Sequence, residues 1–347
     1  MIGAGPKTVV VVPNWNGLDF LADCLDSLVA QSAANFAITV VDNGSRDGSR
    51  ELVQRQYPGV KLIEREKNYG FTGGTNPGIQ DAMACGAQYV ALLNNDAVAD
   101  KHWLKCLVET ADRDPTLGSV TSKILQFGPE RKIDTTGDFY SIWGLPFPRG
   151  RDEIDRGQFD AEEQRLVFSG SGGATLLRVT MLREIGLFDH DFFAYYEDVD
   201  LGFRGQLAGW KAAYEPRALV RHRVHGTSAR IPHFTRYHAQ KNAIYVYHKN
   251  MPARLWWKYL PWFLAGMAMM AANSLRRRQF LPLCKAYGMA LVKTPATLRK
   301  RWRIQRQRKV TTNYIEAILY NAVPPGHHAI FYKLFGRKNS QHIRLPL

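Results

Sequence analysis

The sequence contains few cysteines, and those it has are widely separated. Cys24, Cys85, Cys106 and Cys284 form no CxxC pair and show no metal-ligand spacing. Neither a disulfide framework nor a cysteine zinc site is expected, and we interpret the thiols as reduced and cytosolic. A signal-peptide pattern is also missing, because a valine run at 9–12 has no basic region before it. We expect the first half of the chain to stay on the side of the membrane where it is made.

Acidic residues are almost absent from the last third of the chain. After Pro216 there are 25 Lys and Arg and a single acid, Glu316, which gives a charge of +24. In residues 1–216, 21 basic and 30 acidic residues give a charge of −9. Such an asymmetry indicates a polyanionic partner for the last third, either nucleic acid or an anionic membrane surface.

Strand and helix patterns alternate through the first part of the sequence. Apolar runs in KTVVVVPNWN, FAITVVDNGS, VKLIERE and QYVALLNND predict four strands, with three helical segments between them. We expect the third helix to begin near Pro77. With 347 residues, of which 45% are hydrophobic, the chain can bury a large core. The alternation predicts an α/β fold with a mostly parallel sheet flanked by helices, and such sheets bind ligands beyond the carboxyl ends of their strands.

Polar and turn-forming residues follow each of the four predicted strands, at 13–16, 42–45, 68–71 and 94–96. Turn formation explains each stretch singly, but explains all four together poorly. The third begins NYGFTGGTNPG, whose glycines let backbone N–H groups approach an anion at the start of a helix. This loop lacks the ending of a P-loop and the spacing of a dinucleotide fingerprint, so a nucleotide is favoured over a nicotinamide cofactor.

Three carboxylates stand among five aromatic residues in FFAYYEDVDLGFR, residues 192–204. Burial near apolar rings would raise the pKa of these acids, which is one way to tune a general acid or base. An amphipathic helix start with solvated acids is the alternative, and the stretch alone does not decide between the two.

Seven blocks in order resemble the family 2 glycosyltransferases of the GT-A fold, and more closely their bacterial rhamnosyltransferase-like branch. The resemblance implies a GT-A nucleotide-diphospho-sugar transferase domain at 1–230, with a nucleotide-binding half at about 8–100 and an acceptor half at 101–230. The blocks are PNWNG (13–17), DNGSRDGS (42–49), NYGFTGGTNPGI (68–79), LLNND (92–96), FSGSGGATLLR (168–178), GLFDHDFFAYYEDVDLGFR (186–204) and PRALVRHRVHGTS (216–228).

The resemblance implies roles for single residues on the donor side of the site. Pro13, Asn16 and Asp42 would contact the base and ribose of a sugar nucleotide. Glycines in the wall would let the donor approach the backbone closely. The other residues implied to shape the nucleotide and donor wall are Asn68, Gly70, Gly73, Gly74 and Asn95, with Ser169 and Gly170 beside the sugar.

The resemblance also implies a divalent metal, Mg²⁺ or Mn²⁺, which stabilises the charge that develops on the leaving diphosphate. Asp96 stands where the family has the metal-binding acid of its DxD motif, and His222 where some relatives supply a further metal or diphosphate contact. The motif here reads Asn94-Asn95-Asp96, so only one carboxylate remains. A structural role for His222 is the alternative.

For the acids of FFAYYEDVDLGFR, the resemblance implies that Asp198 is the general base that deprotonates the acceptor hydroxyl, with inversion of the anomeric configuration. Glu197 would be its positioning or acceptor-binding neighbour, although the two roles could be exchanged. Asp200 and Arg204 lie four residues apart, which favours an ion pair on one helix face worth a few tenths of a kcal/mol.

Two regions lie outside the seven blocks. Segment 131–164 is rich in Gly, Pro and charge, and we expect a mobile excursion that orders on binding. Region 231–347 combines an apolar stretch, 253–275, with the basic run LRKRWRIQRQRK at 298–309. Tryptophans beside Arg and Lys suit helices that lie in the headgroup layer of an anionic membrane. These tryptophans are Trp256, Trp257, Trp262 and Trp302.

A transmembrane hairpin and a soluble helical domain are the alternatives for this basic region. An RNA-binding arm is disfavoured, because the apolar helix beside it would have no use. We therefore predict an inverting glycosyltransferase that moves a sugar from a dTDP- or UDP-sugar to a polyprenyl-linked saccharide or polysaccharide acceptor in cell-surface polysaccharide synthesis. It would sit at the cytoplasmic face of the inner membrane, peripherally or monotopically. The rival function is a catalytically weak nucleotide-fold protein that binds a polyanion.

Overall fold

The structure is a computed structural model that describes residues 5–224 and 231–325. The last residues of the seventh block, 225–228, and residues 326–347 of the basic region lie outside the described residues. The described residues contain twelve strands and ten α-helices in the order β1 (Thr8–Asn14), α1 (Leu18–Val29), β2 (Phe36–Asp42), α2 (Ser49–Gln56), β3 (Lys61–Glu64), α3 (Gly70–Ala84), β4 (Tyr89–Leu93), β5 (Ala97–Ala99), α4 (Trp103–Arg113), β6 (Leu117–Gln126), β7 (Ile133–Thr135), β8 (Asp138–Tyr140), β9 (Pro146–Pro148), β10 (Leu166–Val167), β11 (Ala174–Arg178), α5 (Val179–Ile185), α6 (Glu197–Leu207), β12 (Lys211–His222), α7 (Phe234–Asn250), α8 (Ala253–Arg276), α9 (Phe280–Arg306) and α10 (Thr312–Ile318).

The main sheet is mixed, with the strand order β10-β12-β6-β11-β4-β1-β2-β3. β3, β2, β1 and β4 are parallel to one another, as the alternating pattern predicts. β11 runs antiparallel between β4 and β6, and β5 and β7 add short antiparallel pairs to β12 and β6. The carboxyl ends of β1, β2 and β4 consequently meet at one edge of the sheet.

The valine run of β1 shows why this strand is central. Successive side chains of a strand point to opposite faces, so Val10 and Val12 join the core beneath α1 while Val9 and Val11 join the core beneath α3. All four are buried. A strand with helices on both faces has no solvent side, which explains a continuous apolar run in place of alternation.

The third helix begins earlier than expected. It starts at Gly70, and Pro77 lies inside it. Proline was the wrong start signal, because the small residues of the first two turns allow close packing that favours an earlier start. A side chain at Gly74 would meet Asn43, and one at Gly70 would meet the backbone of Phe193. The helix N-terminus therefore lies about two turns earlier in the chain than the sequence indicated.

Segment 131–164 is not the open excursion that we expected. β7 extends the main sheet, and β8 and β9 form a two-stranded antiparallel sheet. Phe139 and Tyr140 on β8 are buried, as are Trp143 and Leu145 in the turn that follows. Composition was misleading here, because buried aromatic side chains fix the segment in spite of its Gly, Pro and charged residues.

The C-terminal helices α7 to α10 pack onto the strand-rich part of the chain and share a hydrophobic cluster with it. Phe192, Val199 and Phe203 pack in this cluster with residues of α7 and α8 such as Val246 and Phe263. Within the described residues no helix has the combination of length and low polarity that crossing a bilayer requires.

Candidate active site

A cavity of about 380 Å³ opens at the edge where the parallel strands end. All four of the predicted strand-end stretches and the acidic stretch contribute to its wall, which confirms that they come together in space. The predicted site residues that line it are Pro13, Asn68, Gly70, Asn95, Asp96, Glu197, Asp198 and His222.

The floor on the β1 side is a network of fixed amides and one carboxylate. Asn14 Nδ2 donates to Asp42 Oδ1 at 3.1 Å, and Asn95 Nδ2 donates to Asn14 Oδ1 at 2.7 Å. Asp42 is itself buried and pairs with Arg50 at 2.6 Å. Each amide is oriented by its neighbour, so this floor is rigid before a ligand arrives.

Six predicted donor-binding residues do not line the cavity. Asn16, Asp42, Gly73, Gly74, Ser169 and Gly170 lie behind the residues that do. The glycines serve close packing, since a side chain at Gly73 would meet Tyr69 and one at Gly170 would meet Thr175. Ser169 is fully buried, and it packs so closely against Gly202 that a side chain at position 202 would meet it. These residues support the wall from behind.

The metal corner consists of Asp96 and His222. His222 Nε2 lies 3.1 Å from Asp96 Oδ1, and its Nδ1 lies 2.8 Å from Asp134 Oδ2. Burial alone would lower the pKa of His222, but the two carboxylates outweigh burial and raise it to about 10. In the described part of the chain no group of three or more His, Cys, Asp or Glu side chains surrounds a point where a metal could sit.

These residues fit a divalent ion whose other ligands are not protein atoms. The Asp96 oxygen and His222 Nε2 lie 3.1 Å apart at the cavity wall, and hard cations such as Mg²⁺ accept water and phosphate oxygens for most of their coordination. A metal ion here would take the place of the proton that His222 Nε2 shares with Asp96, because a metal-bound imidazole must be deprotonated. An imidazole ligand favours Mn²⁺ over Mg²⁺. The sequence analysis missed Asp134, which orients the His222 ring and is itself paired with Arg151 at 2.7 Å.

Glu197 and Asp198 are the first two residues of α6 and also line the cavity. Asp198 Oδ2 accepts from the Gly172 N–H at 2.8 Å, and Oδ1 accepts from the Val199 N–H at 2.8 Å. Burial raises the pKa of Asp198, and these backbone N–H groups oppose that rise. Glu197 Oε2 is buried and has no hydrogen-bond partner among the described residues. Burial, and then the charge of Asp198, raise the pKa of Glu197 well above its usual value.

A third acid, Asp138, lines the same cavity and was missed. It lies on β8 and is buried, and burial followed by the charge of Asp198 raises its pKa well above the usual value. A pattern in the sequence could have indicated Asp138. Asp134 and Asp138 stand in a stretch with apolar neighbours, IDTTGDFY, which is the same oddity that marked the acids at 197 and 198.

The predicted pair of Asp200 and Arg204 is confirmed at 2.9 Å, but its surroundings are not those expected. Both side chains are buried, and Asp200 also accepts from Lys249 at 2.9 Å and from Asn250 at 2.8 Å. Such a buried network differs from a surface pair worth a few tenths of a kcal/mol, because leaving one charge unpaired costs about 3–5 kcal/mol.

The loop before α6 has an unusual backbone. Phe193, Tyr195 and Tyr196 have φ angles of 67°, 68° and 66°, in the left-handed region that bulky residues avoid. Each such residue costs on the order of 1–3 kcal/mol and persists only when its surroundings impose it. All three line the cavity, so the strain lies next to the acids.

Comparison with known proteins agrees with this geometry. The family model described as glycosyl transferase family 2 matches residues 9–186. The N-acetylglucosaminyl-diphospho-decaprenol L-rhamnosyltransferase of Mycobacterium tuberculosis is 28% identical over 291 residues, covering 77% of this chain and 94% of that protein.

Two solved structures share the fold. The mannosyltransferase PcManGT of Pyrobaculum calidifontis, in complex with GDP-Man and Mn²⁺, aligns with a TM-score of 0.52 and 18% identity, covering 84% of this chain and 88% of that one. GalNAc-T7 with UDP, GalNAc and Mn²⁺ aligns with a TM-score of 0.58 and 16% identity, covering 88% of this chain and 59% of that one. The α/β GT-A architecture is thereby confirmed.

Proposed function

The chain belongs to glycosyl transferase family 2, and on that premise we propose that it transfers a sugar with inversion from a nucleoside diphosphate to a lipid-linked acceptor, with Asp198 as the general base. It is a glycosyltransferase that uses a nucleotide-sugar donor. One observation carries the proposal. Asp198 and the pair formed by Asp96 and His222 line a single cavity, which lies where parallel strands end.

Asp198 is better suited than Glu197 to accept a proton. A base must be ionised, and the two backbone N–H groups on Asp198 favour its charged form. Glu197 has no such donor on Oε2, and burial followed by the charge of Asp198 raises its pKa, which favours its protonated form. A protonated Glu197 can donate a hydrogen bond, which suits contact with an acceptor oxygen. This supports the assignment made from sequence.

On the donor side, Asp96 and His222 are the residues that would hold a divalent metal, assisted by Asp134 through the His222 ring. When bound, such an ion neutralises the charge that develops on the leaving diphosphate. The PcManGT and GalNAc-T7 structures, which share this fold, are complexes with Mn²⁺, and this supports a divalent ion. Asn68, Asn95 and the wall around Gly70 would contact the nucleotide.

The sugar and acceptor are proposed from the Mycobacterium tuberculosis relative. Its name describes transfer of L-rhamnose to a decaprenol-linked N-acetylglucosamine, and this chain spans nearly all of its length. We therefore propose rhamnose from dTDP-rhamnose as the donor, with a UDP-sugar as the second choice, and a polyprenyl-linked saccharide as the acceptor. Nucleic acid is not proposed as a partner.

A lipid-linked acceptor requires access to a membrane, and α8 and α9 carry a surface suited to one. Trp257, Leu291 and Val292 are 69%, 74% and 73% exposed. Exposed basic residues, including Arg276 to Arg278 at the junction of α8 and α9, accompany these apolar side chains. Apolar rings with flanking cations suit the headgroup layer of an anionic membrane. We propose peripheral attachment at the cytoplasmic face of the inner membrane.

The test of the proposal is Asp198→Asn in the purified full chain. Donor candidates are dTDP-, UDP- and GDP-sugars with Mn²⁺, first ranked by thermal shift with dTDP, UDP and GDP. Loss of the base should lower transfer by about 10²- to 10⁴-fold while the nucleotide Kd stays within about twofold. Glu197→Gln is the matched variant, and it should lower transfer less. Undiminished transfer by Asp198→Asn would overturn the base assignment.

The rival function, a polyanion-binding protein that has lost catalysis, was based on the single carboxylate of the Asn94-Asn95-Asp96 motif. Family membership supports a transferase instead. Part of the basic charge of the last third, which also supported the rival, is paired with carboxylates inside the molecule.

A further inference from the structure

The base loop, which we define as residues 189–196, connects α5 to α6 and delivers Glu197 and Asp198 to the cavity. Its three left-handed residues do not adopt that backbone by preference. Some restraint comes from the strand-rich part, where the Thr72 N–H donates to the Phe193 carbonyl at 3.2 Å. Helices α7 and α9 supply a larger set of contacts.

Asn242 on α7 is fully buried against the backbone of the base loop. Its Nδ2 lies 3.0, 2.8 and 2.7 Å from the carbonyl oxygens of Phe192, Ala194 and Tyr195. Two N–H bonds serve three acceptors, so one bond is shared. The reversed amide would place an oxygen against three carbonyl oxygens, which assigns the orientation. One side chain thus holds three carbonyls of the strained segment.

Lysines of the last third hold the start of the base loop. Lys300 Nζ lies 2.6 Å from both Asp189 Oδ1 and Asp191 Oδ2, and Lys293 Nζ lies 2.9 Å from Asp191 Oδ1. Burial alone would raise the pKa of Asp189, but Lys249 and Lys300 outweigh burial and hold that pKa well below its usual value. Both acids therefore stay charged and paired at neutral pH.

Lys249 connects the two sides of the proposed base. Its Nζ lies 2.7 Å from Asp189 Oδ2, before the base, and 2.9 Å from Asp200 Oδ2, two residues after it. Asn250 donates to the other oxygen of Asp200 at 2.8 Å. A single buried ammonium therefore ties the beginning of the base loop to the first turn of α6.

We propose that the last third of the chain positions the catalytic base, with Asn242, Lys249 and Lys300 as positioning residues. The three reach the reacting atoms only through the base loop and α6. The proposal rests on the proposed role of Asp198, and it deepens it by assigning part of the basic region to the catalytic machinery. Helix α9 then has two roles. Its outer side would contact the membrane, and its inner side holds the base loop.

The decisive variant is Asn242→Asp in the purified full chain. It is nearly isosteric and replaces a donor by an oxygen that faces three carbonyl oxygens. Gln240→Glu is the matched control, because Gln240 lies on the same helix and is buried, but it donates to Ser274 and Met270 on α8. Each variant is measured for unfolding midpoint, for hydrogen exchange of residues 190–200, for UDP and dTDP Kd and for transfer.

For Asn242→Asp we expect faster amide exchange in residues 190–200 and a kcat lowered by about 100-fold, since small misplacement of a catalytic group costs that much. The nucleotide Kd should stay within about twofold. Gln240→Glu should lower the unfolding midpoint without either local change. Equal exchange and equal kcat per folded molecule in the two variants would overturn the proposal.

Lys300 provides a second, milder test. Lys300→Gln should lower kcat by about tenfold and Lys300→Arg should restore most of it, because a guanidinium can also bridge two carboxylates. Failure of arginine to restore activity would count against positioning by charge. If the wild-type chain transfers no sugar, the proposed function fails, whereas the exchange measurements still test the contacts. If it transfers and Asn242→Asp is fully active, only this inference fails.

Discussion

Six carboxylates lie in and around the base loop. Three of them face the cavity, and three face the C-terminal helices. Those towards the cavity, Asp138, Glu197 and Asp198, have pKa values raised by burial. Those towards the helices experience burial too, yet nearby lysines hold their pKa values below the usual range. The latter three are Asp189, Asp191 and Asp200.

The difference lies in the available partners. Cations cluster on α7 and α9, so the acids that face these helices serve structure and stay charged. No lysine or arginine is paired with Glu197 or Asp198 among the described residues. Acids without a cation keep a raised pKa and remain available to bind or exchange a proton. These six acids therefore divide into a structural set, paired with cations, and a set that we propose to be reactive, which we call the reactive set.

Asp200→Asn should break the structural set and produce the largest loss of stability. It leaves Arg204 and Lys249 without their shared carboxylate, which should cost about 3–5 kcal/mol in the free energy of unfolding at pH 7. The control is Asp112→Asn, whose ion pair with Lys7 is partly exposed and should be worth at most about 1 kcal/mol. Chemical denaturation of both variants measures the difference, and equal losses would contradict the argument.

The pH dependence of this loss has a definite sign. The folded pKa of Asp200 is lowered, so its stabilising contribution is present above the unfolded value of about 3.9. The contribution disappears as the pH falls from there through the folded pKa. The penalty of Asp200→Asn should accordingly shrink in denaturation curves recorded below about pH 4.

A double change of Trp257 and Trp302 to serine tests whether the outward-facing surface of the basic region binds the membrane. Both side chains are exposed, at 69% and 63%, so the unfolding midpoint should stay the same. Loss of two aromatic anchors should lower binding to vesicles of anionic lipid by about tenfold in flotation. Vesicles of neutral lipid are the control. Unchanged flotation would place membrane contact elsewhere.

Glu197→Gln should break the reactive set, with a smaller effect on stability than Asp200→Asn and the opposite sign. The folded pKa of Glu197 is raised, so its ionisation costs stability as the pH rises above the unfolded value of about 4.3. Removing the charge should stabilise the protein by about 0.5–2 kcal/mol at pH 7, as changes at functional sites often do. The gain should vanish below about pH 4. Destabilisation at pH 7 would mean that Glu197 has a partner when ionised.

Much of the fold and part of the site could be predicted from sequence. Asp96 and Asn68 follow predicted strands, and local pattern plus the strand-end rule was sufficient to bring them together. Asp198 was assigned to the site only by the family resemblance. The start of α3 was wrong, because Pro77 is a local signal while the packing of Gly70 against Phe193 is not. Asp138 was missed since its segment was judged by composition.

The sequence by itself determined which stretches become strands and helices, and it placed acidic residues before and within the first turn of α6. Periodicity and apolar content act over a few residues, so they are visible in the chain. Only the tertiary structure decided which of those acids are reactive. That depends on cations about 50 to 110 residues away, such as Lys249 and Lys300, whose contacts arise from packing between distant helices. Net charge alone indicated an external polyanion, whereas part of that charge neutralises the protein's own carboxylates.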